Sequence, residues 1–182
     1  MKENIKIAIS GKSGCGNTTV SKMLADRLGL QFINFTFRTL AEERGVDLKT
    51  ILDEASKNDS IDREVDFRQV ELAQKSGGCV LGSRLSIWML KEADFKVFLD
   101  ASPIVRAKRI TGREGGNLDE VAAFTAERDR QDHERYTRIY NIDMNNYQFV
   151  DLVVDTDNIN PQQITDLIIN KINQKYNKLP KN

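Results

Sequence analysis

A glycine-rich segment near the N-terminus, residues 11–18, has the residue types that hold phosphate groups. It follows the pattern G-x-x-x-x-G-K-[ST], except that Asn17 stands where the pattern has lysine. Its glycines let backbone N–H groups turn inward, and a following helix adds the positive end of its dipole. The segment therefore predicts a concave anion site, whereas an isolated glycine turn would indicate only a tight connection. The residues predicted to form it are Gly11, Ser13, Gly14, Cys15, Gly16, Asn17, Thr18 and Thr19.

The chemistry of this loop depends on what replaces the lysine. Asn17 cannot supply a fixed positive charge to the β and γ phosphates during transfer. Thr18 retains a hydroxyl that can ligate Mg²⁺. Lys12 has two interpretations, either a substitute for the missing charge or an ordinary solvated lysine. The loop thus predicts phosphate binding more directly than catalysis.

The elements around the loop follow from hydrophobic periodicity. Short apolar runs predict strands at residues 5–9, 31–33, 79–81, 95–99 and 152–154. Helical spacing predicts helices at residues 18–28, 37–41, 48–55, 60–76, 104–110, 118–139 and 164–172. Gly29 is expected to stop the first helix, and Asp47 to cap the third. Residues 177–182 are expected to fray.

Strands that alternate with helices predict one α/β domain, a five-stranded parallel sheet covered by helices on both faces. Its ligand would lie at the carboxyl ends of the strands. Residues 1–33, 77–110 and 148–176 form the predicted core, and residues 34–76 form a helical insertion. A lid is predicted from the glycine-rich residues 111–117 and the charged helix 118–140.

Composition narrows the possible partners. Lys+Arg and Asp+Glu both total 27, so bulk charge gives no reason to expect nucleic acid or an acidic membrane. Cys15 and Cys79 are isolated thiols without the spacing of a disulfide framework or zinc site. No targeting segment is evident at the N-terminus. A cytoplasmic protein is expected, with a monomer as the default for this fold.

Several segments together resemble a known family. They are residues 11–18, called the phosphate loop below, and residues 37–45, 66–73, 83–85, 101–113 and 128–143. In this order they are similar to the archaeal-type cytidylate kinases, within the nucleoside monophosphate kinases. The resemblance extends from Ile5 to about Thr156, so it covers most of the chain.

The resemblance implies transfer of the γ-phosphoryl group of ATP to CMP or dCMP with Mg²⁺. The insertion would then bind the monophosphate, and the lid would close over the reaction. Arg38 and Arg84 would meet the acceptor phosphate, while Asp132 and Arg135 would contact its ribose and phosphate.

The resemblance also implies three arginines around the transferring group, namely Arg109, Arg113 and Arg128. Arg128 shares one helical face with Asp132 and Arg135, because these residues stand at i, i+4 and i+7. The alternative is a set of i,i+4 charge pairs on a solvated helix. Lys12 would act with these arginines if it replaces the loop lysine.

Two departures from the family pattern affect the expected activity. Gly82 and Ser83 stand where the family usually has Glu-Gly before the arginine. Ile33-Asn34-Phe35 stands where the family usually has Ser/Ala-Gly before the helix on the monophosphate side, a change expected to reshape the acceptor pocket. Three hypotheses therefore remain: a nucleotide kinase, a catalytically weak nucleotide-binding module, and a kinase for a sugar or coenzyme precursor. The Asp132 and Arg135 pair argues against the third.

Overall fold

The computed structural model describes residues 3–177 and contains a five-stranded, all-parallel sheet. The strand order is β2-β3-β1-β4-β5, so the strand before the phosphate loop lies at the centre. The predicted fold class is confirmed. The strands are β1 Lys6–Gly11, β2 Gln31–Ile33, β3 Cys79–Gly82, β4 Phe95–Asp100 and β5 Leu152–Asp155.

Eight helices connect and cover the described strands. They are α1 Asn17–Leu28, α2 Phe37–Arg44, α3 Leu48–Ala55, α4 Ser60–Lys75, α5 Ser86–Met89, α6 Pro103–Glu114, α7 Leu118–Tyr140 and α8 Pro161–Asn177. Two predicted caps are present in the structure. Gly29 ends α1 in a left-handed conformation with φ 64°. The Asp47 carboxylate, at the start of α3, accepts a hydrogen bond from Thr50 N at 2.7 Å.

Three local predictions differ from the structure. The short helix α5 was not predicted, and α6 continues through residues 111–114, which were assigned to a glycine-rich stretch. The continuation is favoured because α6 packs alongside α7, which outweighs the low helix propensity of Gly112. Asn177, predicted to fray, is the last residue of α8, and residues 178–182 lie outside the described part of the chain.

The sheet is packed on both faces because residues of β1 alternate between them. Ile7 and Ile9 join the cluster beneath α1 and α8, whereas Ala8 joins the cluster beneath α4 and α5. On that second face, Ile87 N donates to Ser10 Oγ at 3.1 Å, which holds α5 against β1. This contact fixes the position of the residues just after β3.

The insertion and the long charged helix have apolar clusters of their own. Leu40, Ile51 and Val65 bring α2, α3 and α4 together, while Tyr136 of α7 packs with Leu85 and Met144. These clusters hold both segments over the carboxyl edge of the sheet. The division into core, insertion and lid remains a prediction. No helix within residues 3–177 is long and apolar enough to cross a membrane.

Candidate nucleotide site

A cleft of about 670 Å³ opens at the carboxyl edge of the sheet. The phosphate loop and the start of α1 form its floor, and residues 34–37 and one face of α4 form one wall. The loop after β3, parts of α6 and α7, and the start of α8 complete it. The site therefore lies where the parallel topology places ligands, at the ends of β1 and β3.

The phosphate loop has the turns that its glycines predict. Gly14 and Gly16 have φ of 84° and 97°, values that favour glycine, and Gly16 immediately precedes α1. Cys15 N donates to Lys12 O at 3.2 Å, which closes the turn. Burial raises the pKa of the Cys15 thiol to about 11, so this thiol stays protonated and unreactive at neutral pH. Cys79 is likewise a free, buried thiol.

Asn17 closes the loop from within. Its side-chain Nδ2 donates to the carbonyl oxygen of Gly11 at 2.6 Å, and its Oδ1 is buried without a hydrogen-bond partner among residues 3–177. Gly11 itself does not line the cleft and contributes this carbonyl instead. The residue at the lysine position thus stabilises the loop without adding charge.

Lys12 is half-buried and lines the cleft. Within the described residues no carboxylate lies within 4 Å of its ammonium nitrogen. Thr18 and Thr19 are exposed on the first turn of α1 and also line the cleft, as does Ser13. A lysine without a carboxylate partner in residues 3–177 and several hydroxyl groups therefore line the cleft beside the loop.

Arg106 is a site residue that the sequence analysis missed. It is only 4% exposed; its Nη1 donates to Ser13 O at 3.1 Å and its Nη2 to Asp129 Oδ2 at 2.6 Å. One buried guanidinium thus links the phosphate loop to α7. No local signal separates it from the other basic residues of α6.

The three arginines predicted around the transferring group all line the cleft, in different environments. Arg109 is half-buried and donates through Nη1 to Gly14 O at 3.3 Å and to Thr156 Oγ1 at 2.9 Å. Arg113 and Arg128 are exposed, and Arg113 pairs with the neighbouring Glu114. Arg109 therefore braces the loop, whereas the other two are on the solvent side of the cleft.

The predicted acceptor residues fall into two groups. Arg84 and Arg135 line the cleft, and both contact Asp132, with Arg135 Nη2 at 2.8 Å from Asp132 Oδ1. Asp132 is 5% exposed and does not line this cleft, but it lines a smaller cavity of about 240 Å³ together with Lys12 and Arg84. Arg38 is exposed on α2 and does not line the cleft either. Burial lowers the pKa of Arg84 to about 10, which still leaves it charged at pH 7.

The inward face of α4 supplies polar groups that the sequence analysis did not single out. Asp62, Val65, Asp66 and Gln69 line the cleft, and their i, i+3, i+4, i+7 spacing puts them on one helical face. Burial raises the pKa of Asp66 to about 6 and also raises the pKa of Asp62. The sequence signal that could have identified these site residues is the presence of polar side chains at positions of α4 that face inward.

The opposite end of the cleft is apolar. Ile159, Pro161 and Ile164 line it beside the start of α1. The cleft therefore has an apolar end at the start of α8, the glycine-rich loop with the nearby basic side chains, and polar groups on α4. This order of surfaces suits a molecule that carries phosphate groups between two chemically different ends.

The comparison with known proteins decides the family. A sequence model described as the cytidylate kinase-like family matches residues 6–158, most of the chain. The chain belongs to the cytidylate kinase-like family. The matched range includes the phosphate loop, Arg106 and the whole of α4 and α7.

Relatives within the cytidylate kinase-like family support this over nearly the full length. The chain is 45% identical over 175 residues to cytidylate kinase 2 of Borreliella burgdorferi, covering 94% of this chain and 97% of the relative. It is 40% identical over 165 residues to the cytidylate kinase of Pyrococcus horikoshii, covering 90% and 85%. The resemblance noted from the sequence is confirmed, and the chain is a kinase.

Solved structures support the fold. A shikimate kinase from Acinetobacter baumannii has a TM-score of 0.65 at 17% identity, covering 97% of both chains. A deoxyadenosine kinase from M. mycoides has a TM-score of 0.55 at 17% identity, covering 93% of this chain and 100% of that one. These similarities show that this chain shares its overall fold with these two kinases.

Proposed function

We propose that this protein transfers the γ-phosphoryl group of ATP to CMP or dCMP. The observation that carries the proposal is a preformed phosphate loop that opens into a cleft lined by Lys12 and several arginines, in a chain of the cytidylate kinase-like family. Phosphoryl transfer needs positioning and electrostatic stabilisation more than covalent chemistry, and this cleft supplies both.

The donor nucleotide would lie along the phosphate loop. Its phosphates would accept hydrogen bonds from the N–H groups of residues 12–18, and its base would fit the apolar end at Ile159, Pro161 and Ile164. Arg109 holds Gly14 and Thr156 together between these two regions. It thereby positions the loop relative to the strand β5 that precedes α8.

Lys12 is the residue proposed to replace the absent loop lysine. It lies at the beginning of the loop, lines the cleft and is not held by a carboxylate within 4 Å in residues 3–177. Arg113 and Arg128 would join it when α7 moves closer to the bound phosphates. Their positive charge would compensate the charge that develops on the transferring group.

A magnesium ion fits this donor set. Thr18 offers one exposed hydroxyl oxygen, and residues 3–177 hold no group of three or more His, Cys, Asp or Glu side chains for a protein-only metal site. Mg²⁺ usually keeps several waters and takes further ligands from substrate phosphates, so the Thr18 hydroxyl would supply one protein ligand among them. When bound, the ion would neutralise charge on the donor phosphates.

The acceptor phosphate would meet Arg84 and Arg135. Both guanidinium groups are oriented by Asp132, so this aspartate is proposed to position the arginines and not to touch the acceptor itself. Arg38 could reach the same phosphate only if α2 moves inward, because the side chain now lies outside the cleft. The two oriented arginines suit phosphate oxygens because the guanidinium is planar.

The test is phosphate transfer from ATP to CMP, dCMP, UMP and AMP, with and without Mg²⁺. We expect transfer to CMP by the parent and a fall in kcat of about 10²–10³-fold for Lys12→Ala. Lys22→Ala, an exposed lysine on α1, is the matched control and should leave the rate unchanged. Normal turnover by Lys12→Ala would refute the substitution of Lys12 for the loop lysine.

The second candidate, a nucleotide-binding module with little turnover, is favoured only by Asn17. The variant Asn17→Lys separates the two functions. A silent parent that binds ATP, and that gains transfer on Asn17→Lys, would establish the binding module. Transfer by the parent itself would exclude it.

The expected oligomeric state, lack of nucleic-acid binding and cellular location can each be measured directly. Monomeric state is tested by light scattering. Absence of nucleic-acid binding, expected from the balanced charge, is tested by titration with duplex DNA and RNA. Residence in the cytoplasm is tested by cell fractionation.

A further inference from the structure

The polar end of the cleft contains an acceptor group that nothing in the protein satisfies. Gln69 is 5% exposed, and its Oε1 is buried without a hydrogen-bond partner in the described part of the chain. The same residue lines the cleft. A buried amide oxygen without a partner is unfavourable, so this group points to a ligand that donates a hydrogen bond there.

Asp66 lies one helical turn before Gln69 on the same face of α4. Its Oδ2 accepts a hydrogen bond from the Tyr140 hydroxyl at 2.7 Å, the one hydrogen bond to this carboxylate within residues 3–177. The second oxygen is therefore available to the cleft that Asp66 lines. An ionised carboxylate only accepts hydrogen bonds, so it also requires a donor.

The neighbouring carboxylate already has a partner. Asp62 Oδ1 lies 3.4 Å from Arg135 Nε, and this arginine is assigned to the acceptor phosphate. On this face of α4, the Asp62 carboxylate is therefore paired with a charge. Asp66 and Gln69, further along the helix, each present an oxygen that can still accept a hydrogen bond. The phosphate and the donor-seeking groups are at successive turns of one helix.

Apolar side chains complete this end of the cleft. Phe35, Phe37 and Val65 line it together with Asp66 and Gln69, and Phe35 is 5% exposed. Aromatic and aliphatic groups around a few polar atoms are typical of pockets for flat heterocycles. This arrangement fits a nucleobase better than a sugar.

We propose that Asp66 and Gln69 bind the base of the acceptor nucleotide and select a pyrimidine with an exocyclic amino group over one with a keto group. The inference rests on the proposed function. It assigns the choice between cytosine and uracil to two residues on the insertion, neither of them in the phosphate loop or on the lid helix.

The chemistry of the two bases gives the direction. The amino group of cytosine donates hydrogens to acceptors such as Asp66 Oδ1 and Gln69 Oε1, and carboxylate recognition of this amino group is common. Uracil presents a carbonyl oxygen at that position, which would face a carboxylate without a hydrogen between them. One such contact discriminates by about 10- to 100-fold. Adenine also carries an amino group, so CMP against UMP is the informative comparison for rings of equal size.

The test uses the full chain with Asp66→Asn, Gln69→Met and the control Asp53→Asn. Asp53 is an exposed aspartate on α3 in the same insertion. The readouts are kcat/KM for CMP and UMP, and calorimetric binding of each monophosphate without ATP. We expect Asp66→Asn to lower the CMP to UMP ratio at least about tenfold, partly through better use of UMP, because an amide can donate to the uracil carbonyl.

The outcomes separate this inference from the proposed function. A parent that transfers phosphate to no nucleoside monophosphate refutes the proposed function. A parent active on CMP, whose ratio is within twofold in both Asp66→Asn and Gln69→Met, refutes the base assignment alone. An equal change in Asp53→Asn also refutes it. If circular dichroism shows that Asp66→Asn does not fold, Gln69→Met decides, with a lower ratio supporting the assignment and an unchanged ratio overturning it.

Discussion

Replacement of Arg106 by methionine tests whether a buried cation holds the phosphate loop. The side chain of Arg106 is 5% exposed and that of its partner Asp129 is 15% exposed. The variant keeps much of the volume but leaves Asp129 and the Ser13 carbonyl without their donor. Loss of one partner of a buried ion pair costs about 3–5 kcal/mol, since the remaining charge is uncompensated.

The partial exposure of Asp129 decides where in this range the value falls. Water can reach a carboxylate that is 15% exposed, so we expect the lower end, about 3 kcal/mol in the free energy of unfolding. For a chain of this size, that corresponds to a fall in Tm of about 6–12 °C. ATP affinity should also fall, by about tenfold or more, because Ser13 is part of the loop.

The assay is urea unfolding at pH 7 of the parent, Arg106→Met, Asp129→Asn and the double variant. The double variant should be more stable than the sum of the two single changes predicts, with a coupling energy of about 2 kcal/mol. Calorimetric titration with ATP measures the effect on the loop.

Arg130 on α7 provides a matched control. Its Nη2 lies 2.6 Å from Glu127 Oε1, the distance found between Arg106 and Asp129, but its side chain is 56% exposed. Arg130→Met should therefore cost less than about 1 kcal/mol. If the two variants lose similar stability, or if Arg106→Met leaves ATP affinity intact, the reasoning from burial is wrong.

Three further perturbations concern the loop and α4. Gly14→Ala would bring a Cβ within 2.9 Å of α6 at a φ of 84°, so we expect at least about tenfold weaker ATP binding by calorimetry, whereas Gly112→Ala, with open space around it, should leave binding unchanged. Asn17→Ala removes the 2.6 Å hydrogen bond to Gly11 O and should lower the free energy of unfolding by about 1 kcal/mol in urea, and an unchanged midpoint would contradict the role of this contact. Asp66 has a folded-state pKa of about 6, above the ordinary value of 3.8, so the folded protein binds the extra proton between these values and loses stability as pH rises through them. Replacement by asparagine should therefore stabilise the protein by about 2 kcal/mol at pH 7 after solvent screening, and have little effect near pH 3.5, which urea unfolding at both values would check.

Much of the architecture could be predicted because its signals are local. The strand before the loop, the glycine turn at residues 14–16 and the caps at Gly29 and Asp47 depend on residues adjacent in sequence. The parallel sheet follows from alternating strands and helices, since parallel neighbours require crossovers. The sequence patterns also located the loop that lines the cleft, because the order strand, glycine loop, helix defines it.

The identities of the contacts within the site were decided only by the tertiary structure. Arg106 looks like any basic residue of α6 until packing buries it between Ser13 and Asp129. The sequence analysis predicted a ligand contact for Asp132, and that contact remains a prediction, whereas its ion pairs with Arg84 and Arg135 became visible only in the fold.

The sequence by itself determined the course of the backbone at residues 11–18, because glycine conformations and apolar periodicity act over a few residues. Tertiary packing determined which charges are buried, paired or left free, as at Asp66 and Gln69 on α4. Burial and charge pairing depend on groups brought together from distant parts of the chain, so no short pattern in the sequence encodes them.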